Sequence, residues 1–111
     1  MAEFVVVTTT VDSREAAERL SRQLVERRLA ACCQVIGPIA STYWWKGELE
    51  TAEEWLLMLK TRAECFVPLA KAIRELHSYE TPEIVAVPIA EGSPDYLMWI
   101  RGETALQPSD A

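Results

Sequence analysis

Three kinds of side chain in this sequence could bind a divalent metal ion. His77 is the only histidine among 111 residues, Glu83 lies six positions after it, and Cys32 and Cys33 are adjacent. Imidazole, carboxylate and thiolate are common metal ligands, and the soft thiolate favours copper. Because successive strand residues point to opposite faces, Cys32 and Cys33 cannot hold one metal together. We therefore predict His77, Glu83 and Cys32 as candidate ligands for copper or another divalent ion.

Each candidate ligand also has a simpler interpretation, which the sequence leaves open. His77 lies at the end of an apolar helical stripe, where a single histidine more often packs or caps than binds a metal. Glu83 follows Pro82 at the start of a strand, where its carboxylate could accept backbone N–H groups. Buried cysteines often pack as small apolar side chains. We therefore predict no obligatory cofactor.

A second group of residues could bind a small anionic or polar effector. Lys60 closes an apolar strand, Tyr79 and Glu80 begin the loop after a helix, and Trp45 belongs to a predicted hairpin. We predict that these four residues lie near a boundary between subunits. The alternative is that Lys60 is a strand-end charge and that Tyr79 anchors its loop.

The elements that must position these residues alternate between strand and helix patterns. Asp12 and Glu15 resemble a capping box, and apolar residues then recur every three or four positions as far as Leu29. A second apolar stripe begins at Phe66, and Pro94 stands at the first position of a short third helix. Runs rich in β-branched and aromatic residues predict strands over 4–10, 31–45, 49–60 and 84–89.

The order βαββαβ with one extra C-terminal helix predicts an α+β, ferredoxin-like fold with a long β2–β3 hairpin. Residues 1–111 are expected to form a single domain with its core over 4–101 and a frayed tail over 103–111. Two long helices can cover only one face of the sheet. We expect Trp44, Trp45, Trp55 and Leu57 to supply apolar surface on the other face, which predicts self-association.

Charge and composition limit the partners of this chain. Seventeen acidic residues against eleven basic ones give a net charge of -6, which disfavours nucleic acid. No apolar run approaches the roughly 18 residues that span a bilayer, and no basic stretch precedes the first strand. The odd number of cysteines argues against a disulfide framework. We expect a cytoplasmic protein that binds neither nucleic acid nor a membrane.

Four segments together carry a family resemblance. They are Leu29-Ala30-Ala31-Cys32, Tyr43-Trp44-Trp45-Lys46-Gly47-Glu48, His77-Ser78-Tyr79-Glu80-Thr81-Pro82-Glu83-Ile84 and Tyr96-Leu97-Met98-Trp99. In order and spacing they resemble the CutA family over roughly residues 4–101. The resemblance implies a non-catalytic homotrimer, linked to divalent cation tolerance, in which long hairpins cross between subunits. It also implies a likeness in assembly to the PII signalling trimers, which bind small effectors in clefts between subunits.

Two positions depart from the family pattern. Thr8-Thr9-Thr10 stands where some CutA members have a cysteine proposed as a copper ligand, and Ser78 replaces a frequent proline.

Two other functions remain as alternatives on the same fold. An acylphosphatase needs an arginine and a phosphate cradle after strand one, where this chain has Thr10-Val11-Asp12. An RNA-binding domain needs an aromatic and basic strand signature, which this sequence lacks.

Overall fold

The computed structural model describes residues 2–105, whose four strands form one antiparallel sheet in the order β2-β3-β1-β4. This arrangement confirms the predicted α+β fold, with βαββαβ order, a C-terminal helix and a long hairpin. A 3₁₀ turn, Ala63–Cys65, precedes α2. The elements are β1 (Phe4–Val11), α1 (Arg14–Glu26), β2 (Cys32–Trp45), β3 (Glu48–Arg62), α2 (Phe66–Leu76), β4 (Val85–Pro88) and α3 (Pro94–Glu103).

Helix α1 begins and ends differently from the prediction. Ser13, not Asp12, is the N-cap, and its Oγ accepts the N–H of Ala16 at 3.1 Å. The helix stops at Glu26 because Arg28 adopts a left-handed conformation with φ of 64°. The two differences are shifts of one and three residues at the helix ends, where the backbone geometry rather than the apolar pattern decides.

Strands β2 and β3 form a hairpin that extends beyond the rest of the sheet. Its turn, Lys46-Gly47, has positive φ at both residues, as the tight two-residue hairpin turn requires. A register shift between Ile36 and Ile39 bends β2, as predicted from Gly37 and Pro38. Pairing of β1 with β3 stops at Trp55, so the hairpin arm, residues 39–54, has no further strand beside it within the described chain.

One face of the sheet, here called the covered face, is packed against α1 and α2. Val7, Leu57 and Leu59 from the strands meet Leu24 and Ile73 from the helices, and all five side chains are fully buried or nearly so. Trp55 packs against the same core, and its ring lies against Gly37, where an added Cβ would collide with it. The prediction that Trp55 and Leu57 lie on the uncovered face is therefore wrong. The strand alternation places them with Leu59 instead.

The opposite face, here called the open face, carries the alternate strand residues, among them Thr8, Leu56, Met58 and Lys60. Helix α3 covers one end of it, where Ile100 and Leu97 pack with Phe4 and Ala31. The expectation that no helix covers this face is therefore correct only in part. Away from α3, the apolar side chains of Ile36, Val85 and Val87 are exposed.

The C-terminal end of α3 is tied to the sheet by polar contacts. Thr104 is buried and binds the Arg62 side chain through Oγ1 and its carbonyl oxygen, at 2.9 and 3.0 Å. The Ala105 N–H donates to the Arg28 carbonyl oxygen. The prediction of a frayed tail is therefore wrong for residues 103–105. Residues 106–111 of that tail lie outside the described part of the chain.

Candidate functional site

Most of the predicted site residues meet where the loop between α2 and β4, residues 77–84, passes the end of β1 and the middle of β3. His77 is the C-cap of α2 and already has extended backbone angles. Its Nε2 lies 2.7 Å from the Thr10 carbonyl oxygen, and its Nδ1 accepts the Tyr79 N–H at 3.0 Å. His77 therefore joins the loop to β1 through both ring nitrogens, in keeping with the capping interpretation left open by the sequence.

Tyr79 is held by a carboxylate that the sequence did not single out. Its hydroxyl donates to Glu54 Oε2 at 2.8 Å, and Glu54 is only 6% exposed. Burial raises the pKa of Tyr79 well above its usual range, and the hydrogen bond and negative charge of Glu54 raise it further. Tyr79 is thus a neutral donor at physiological pH. The contact ties the loop to β3, in keeping with the alternative interpretation of Tyr79 as a loop anchor.

Glu83 reaches the open face from the other end of the same loop. Thr8 Oγ1 donates to Glu83 Oε2 at 2.7 Å. The carboxylate therefore accepts a side-chain hydroxyl rather than a backbone N–H. Thr8 belongs to the threonine run that replaces the cysteine of some CutA members, so a hydroxyl–carboxylate contact occupies this part of the sheet.

The tip of the hairpin lies beside the start of the loop. The Lys46 ammonium is 3.9 Å from Glu80 Oε2 and 5.4 Å from the centre of the Trp45 ring. Both charged side chains are largely exposed. The hairpin tip therefore brings Trp45 close to Glu80, and Tyr79 is the residue before Glu80 in the loop. The prediction omitted Lys46, the cation that lies near both Trp45 and Glu80.

Lys60 lies in a different group, next to α3. Its ammonium donates to the Tyr96 hydroxyl at 3.4 Å, and Cys32 Sγ lies 3.8 Å from the same hydroxyl. Cys32 and Lys60 are direct cross-strand partners. Within residues 2–105 no hydrogen bond links Lys60 to Tyr79 or Glu80, so the chain by itself does not assemble the four predicted effector residues.

The two adjacent cysteines lie in different environments, as their alternation predicts. Cys32 lies on the open face, whereas Cys33 packs against the core of the covered face. Burial raises the pKa of Cys33 from 9.0 to about 11. Cys33 is therefore a protonated, apolar side chain at physiological pH, in agreement with the packing interpretation.

A resident metal ion does not fit the described residues as they are arranged. No group of three or more His, Cys, Asp or Glu side chains within residues 2–105 could hold one. His77 uses both nitrogens for backbone contacts, Glu83 accepts from Thr8, and Cys32 lies beside the Tyr96 hydroxyl, to which Lys60 donates. The three predicted ligands therefore do not form a common site in this chain, and direct copper binding stays a prediction.

Two residues that contact the predicted site residues, Glu54 and Tyr96, have only a partial signal in the sequence. Glu54 precedes Leu56 and Met58 on the same strand face, and a carboxylate in an apolar alternation signals a buried partner. In the sequence, Tyr96 stands out only as part of a segment that carries the family resemblance. Its proximity to Lys60 depends on how α3 crosses the sheet, and no local pattern contains that information.

Comparison with known proteins connects this arrangement to one family. The family model described as CutA1 divalent ion tolerance protein matches residues 5–103. The chain belongs to the CutA1 family. Its sequence is 46% identical over 99 residues to the divalent-cation tolerance protein CutA of Thermus thermophilus, covering 89% of this chain and 96% of that one.

Solved structures of CutA1 proteins share the fold over nearly the whole chain. The CutA1 structure from Oryza sativa has a TM-score of 0.92 and 36% identity, covering 96% of this chain and 97% of that one. The CutA structure from Archaeoglobus fulgidus, described as periplasmic, has a TM-score of 0.87 and 39% identity, with coverage of 90% and 97%. The CutA protein of Arabidopsis thaliana, 39% identical over 90% of this chain and 55% of that one, is described as chloroplastic, so the compartments in these names differ. No helix within residues 2–105 is long and apolar enough to cross a membrane.

Proposed function

We propose that this CutA1 family member is a non-catalytic homotrimer that takes part in the response to divalent metal ions. The observation that carries the proposal is the hairpin arm, residues 39–54. Both of its edges carry backbone groups without a strand partner in the described chain, and such edges pair readily with another chain. Trp44 on this arm is 72% exposed and Leu49 is 61% exposed.

The open face adds a second apolar surface that a subunit of the trimer can cover. Ile36, Val85 and Val87 are exposed there, and they continue the half-buried surface of Leu56 and Met58. A monomeric protein rarely exposes contiguous apolar surface of this kind. Hairpins that cross between subunits would bury it and would also pair the free edges of the arm.

The assembly is tested by light-scattering mass of the purified chain and of Trp44→Asp. Because Trp44 contacts solvent in the single chain, the substitution should leave the secondary structure intact while lowering the mass to that of a monomer. Trp44→Phe is the matched control and should remain a trimer. A monomeric parent protein, or a trimeric Trp44→Asp variant, would contradict the hairpin interface.

Within this trimer we propose that a small anionic or polar effector binds in the clefts between subunits, in the manner of the PII signalling proteins. Trp45 and Glu80 both lie near the Lys46 ammonium, Tyr79 precedes Glu80 in the loop, and Lys60 of a neighbouring subunit would complete the predicted set. Calorimetric titration with inorganic phosphate, citrate and a nucleoside triphosphate tests this site. Binding that is lost in Lys60→Met and retained in Lys71→Met would support it, and no heat from any probe would oppose it.

Direct metal binding is the other form that the function can take. The ligands predicted from the sequence are His77, Glu83 and Cys32, and a copper site built on any of them would need ligands from a neighbouring subunit, because residues 2–105 contain no group of three or more His, Cys, Asp or Glu side chains that could hold a metal. Titration of the purified protein with Cu(II) and Zn(II), with a chelator control, measures the stoichiometry.

The three cysteines are free thiols, which supports the predicted cytoplasmic location.

A further inference from the structure

The hydrogen bonds of His77 determine which of its nitrogens carries the proton. The Thr10 carbonyl oxygen can only accept, so the ring nitrogen 2.7 Å from it, Nε2, must donate. The Tyr79 backbone N–H can only donate, so Nδ1, at 3.0 Å, must accept. This assignment follows from the hydrogen-bond network and describes a neutral imidazole with both nitrogens in use.

The same two contacts compete directly with a metal ion. A histidine binds a metal through an unprotonated ring nitrogen. The free lone pair of His77, on Nδ1, points at the Tyr79 N–H, so a cation there must displace that donor. A cation at Nε2 must displace the proton on that nitrogen, which breaks the hydrogen bond to the Thr10 carbonyl oxygen. Within residues 2–105, His77 belongs to no group of three or more His, Cys, Asp or Glu side chains that could bind the cation and so offset either loss.

We infer that His77 is a positioning residue that fastens the 77–84 loop to the end of β1, and that it is not a ligand for a divalent cation. The ring also lies 4.6 Å from the ring of Tyr79, between centroids. His77 thus acts through Tyr79, whose hydroxyl it holds in place for Glu54. This inference concerns the fold of one chain and does not depend on the proposed trimer.

The position of His77 explains why one residue influences several predicted site residues. Tyr79, Glu80 and Glu83 all belong to the loop that begins at His77. Tyr79 is tied to β3 and Glu83 to β1, while Glu80 meets the hairpin tip. If the two His77 contacts are broken, the start of the loop is free to leave β1, and the arrangement of Tyr79 and Glu80 changes with it.

Two substitutions separate the two hydrogen bonds of His77. In His77→Asn, the amide oxygen lies near the former Nδ1 and can accept the N–H two residues on, as in an Asx turn. In His77→Gln, the longer amide can still donate towards Thr10 but has no acceptor at the Nδ1 position. Neither amide is a good ligand for Cu(II) or Zn(II) compared with imidazole.

The first measurement is hydrogen exchange of the Tyr79 backbone amide, followed by NMR in the full chain. We expect protection in the parent protein and in His77→Asn, and exchange about tenfold faster in His77→Gln, because one hydrogen bond is lost. Equal protection in all three proteins would overturn the positioning role. A general loss of fold would instead raise exchange at every amide, so core amides such as that of Leu57 serve as the internal control.

The second measurement asks whether the imidazole binds a metal. Because the chain has a single histidine, its ring nitrogen signals in a ¹⁵N spectrum are unambiguous. We expect Zn(II) to leave both ring signals unshifted, and we expect any Cu(II) or Zn(II) uptake measured by calorimetry to be the same in the parent, His77→Asn and His77→Gln. Uptake lost in both variants, or a shifted ring signal together with faster Tyr79 exchange, would overturn the inference.

Discussion

The two faces of the sheet use neighbouring residues of the same strands for different purposes. On the covered face, Leu57 and Leu59 are fully buried against α1 and α2, and Cys33 has become an apolar, protonated side chain. On the open face, Leu56 and Met58 are half-buried, and the polar contacts of Thr8, Glu54 and Lys60 lie beside them.

This difference separates the stability of the chain from its interactions. The covered face is closed by α1 and α2 within the chain, and two buried polar atoms without a hydrogen-bond partner among the described residues, Thr9 Oγ1 and Trp55 Nε1, are enclosed there. The open face combines apolar surface with carboxylate, phenol, ammonium and thiol groups, which is the composition of a surface that contacts partners. A change on the covered face should therefore alter folding, and a change on the open face should alter assembly or binding.

The largest expected effect compares adjacent leucines on the two faces. Leu57→Ala removes a side chain that is 0% exposed and should lower the free energy of unfolding by about 2–5 kcal/mol. Leu56→Ala, on the open face, should lower it by less than half as much. Urea denaturation at one protein concentration measures both. Equal losses would mean that another subunit buries the open face as fully as the helices bury the covered one.

The adjacent cysteines should differ next most strongly, in their reaction with a thiol reagent. With its pKa raised from 9.0 to about 11, Cys33 has about 100-fold less thiolate at pH 8 than an unperturbed thiol. We expect Cys32 to be alkylated first, Cys33 far more slowly, and the buried Cys65 only on unfolding. Peptide mass spectrometry over time measures the three rates. Reaction of Cys33 as fast as Cys32 would contradict the placement of the two faces.

Removal of the Tyr79 hydroxyl tests the polar part of the open face. Tyr79→Phe leaves the buried carboxylate of Glu54 without its donor and should cost about 1–3 kcal/mol of stability. Tyr43→Phe, at an exposed position, is the matched control and should cost little. Thermal and urea unfolding compare the two variants, and equal stability would show that the Glu54 contact contributes nothing measurable.

The same contact predicts a pH dependence of known sign. Because the pKa of Tyr79 is raised in the folded chain, its contribution to stability is complete below the unfolded value of about 10 and is lost as the pH rises above it. The parent protein should therefore lose stability between about pH 10 and 12. Tyr79→Phe should lose less over that interval, and identical pH profiles would contradict the environment described for Tyr79.

The smallest expected effect concerns the exposed ion pair at the hairpin tip. Lys46 and Glu80 are 3.9 Å apart and largely solvated, so Lys46→Met should change the free energy of unfolding by less than about 0.5 kcal/mol. If the tip helps to bind an anionic effector, the same variant should weaken binding in calorimetry. A large loss of stability would show that the pair is structural.

Sequence patterns predicted the elements more reliably than the faces on which their residues lie. Apolar periodicity and capping signals for the helices, and runs of β-branched and aromatic residues for the strands, located the α-helices and strands to within a few residues. They misplaced Trp55 and Leu57, because an uninterrupted apolar run such as Trp55-Leu56-Leu57-Met58-Leu59 has no polar residue to mark its outer side.

The candidate site shows the same difference between what sequence patterns predict and what they miss. His77, Tyr79, Glu80 and Glu83 could be selected from their types and their order in one loop. Their contacts with Thr10, Glu54, Lys46 and Thr8 could not, because each joins that loop to a strand or hairpin tip far away in the chain. The choice between a metal ligand and a positioning residue at His77 depends on those distant partners.

By itself, the amino-acid sequence determined the order of the elements and the length of the hairpin, which local propensity and spacing encode, and its motifs carried the resemblance to the family. Only the tertiary structure decided that Cys32 and Lys60 both contact the Tyr96 hydroxyl and that the buried Glu54 accepts a hydrogen bond from Tyr79. It also decided that both ring nitrogens of His77 are hydrogen-bonded. The physical reason is that a hydrogen bond is made or lost over a few tenths of an ångström, and that distance is set by the packing of all three helices on the sheet.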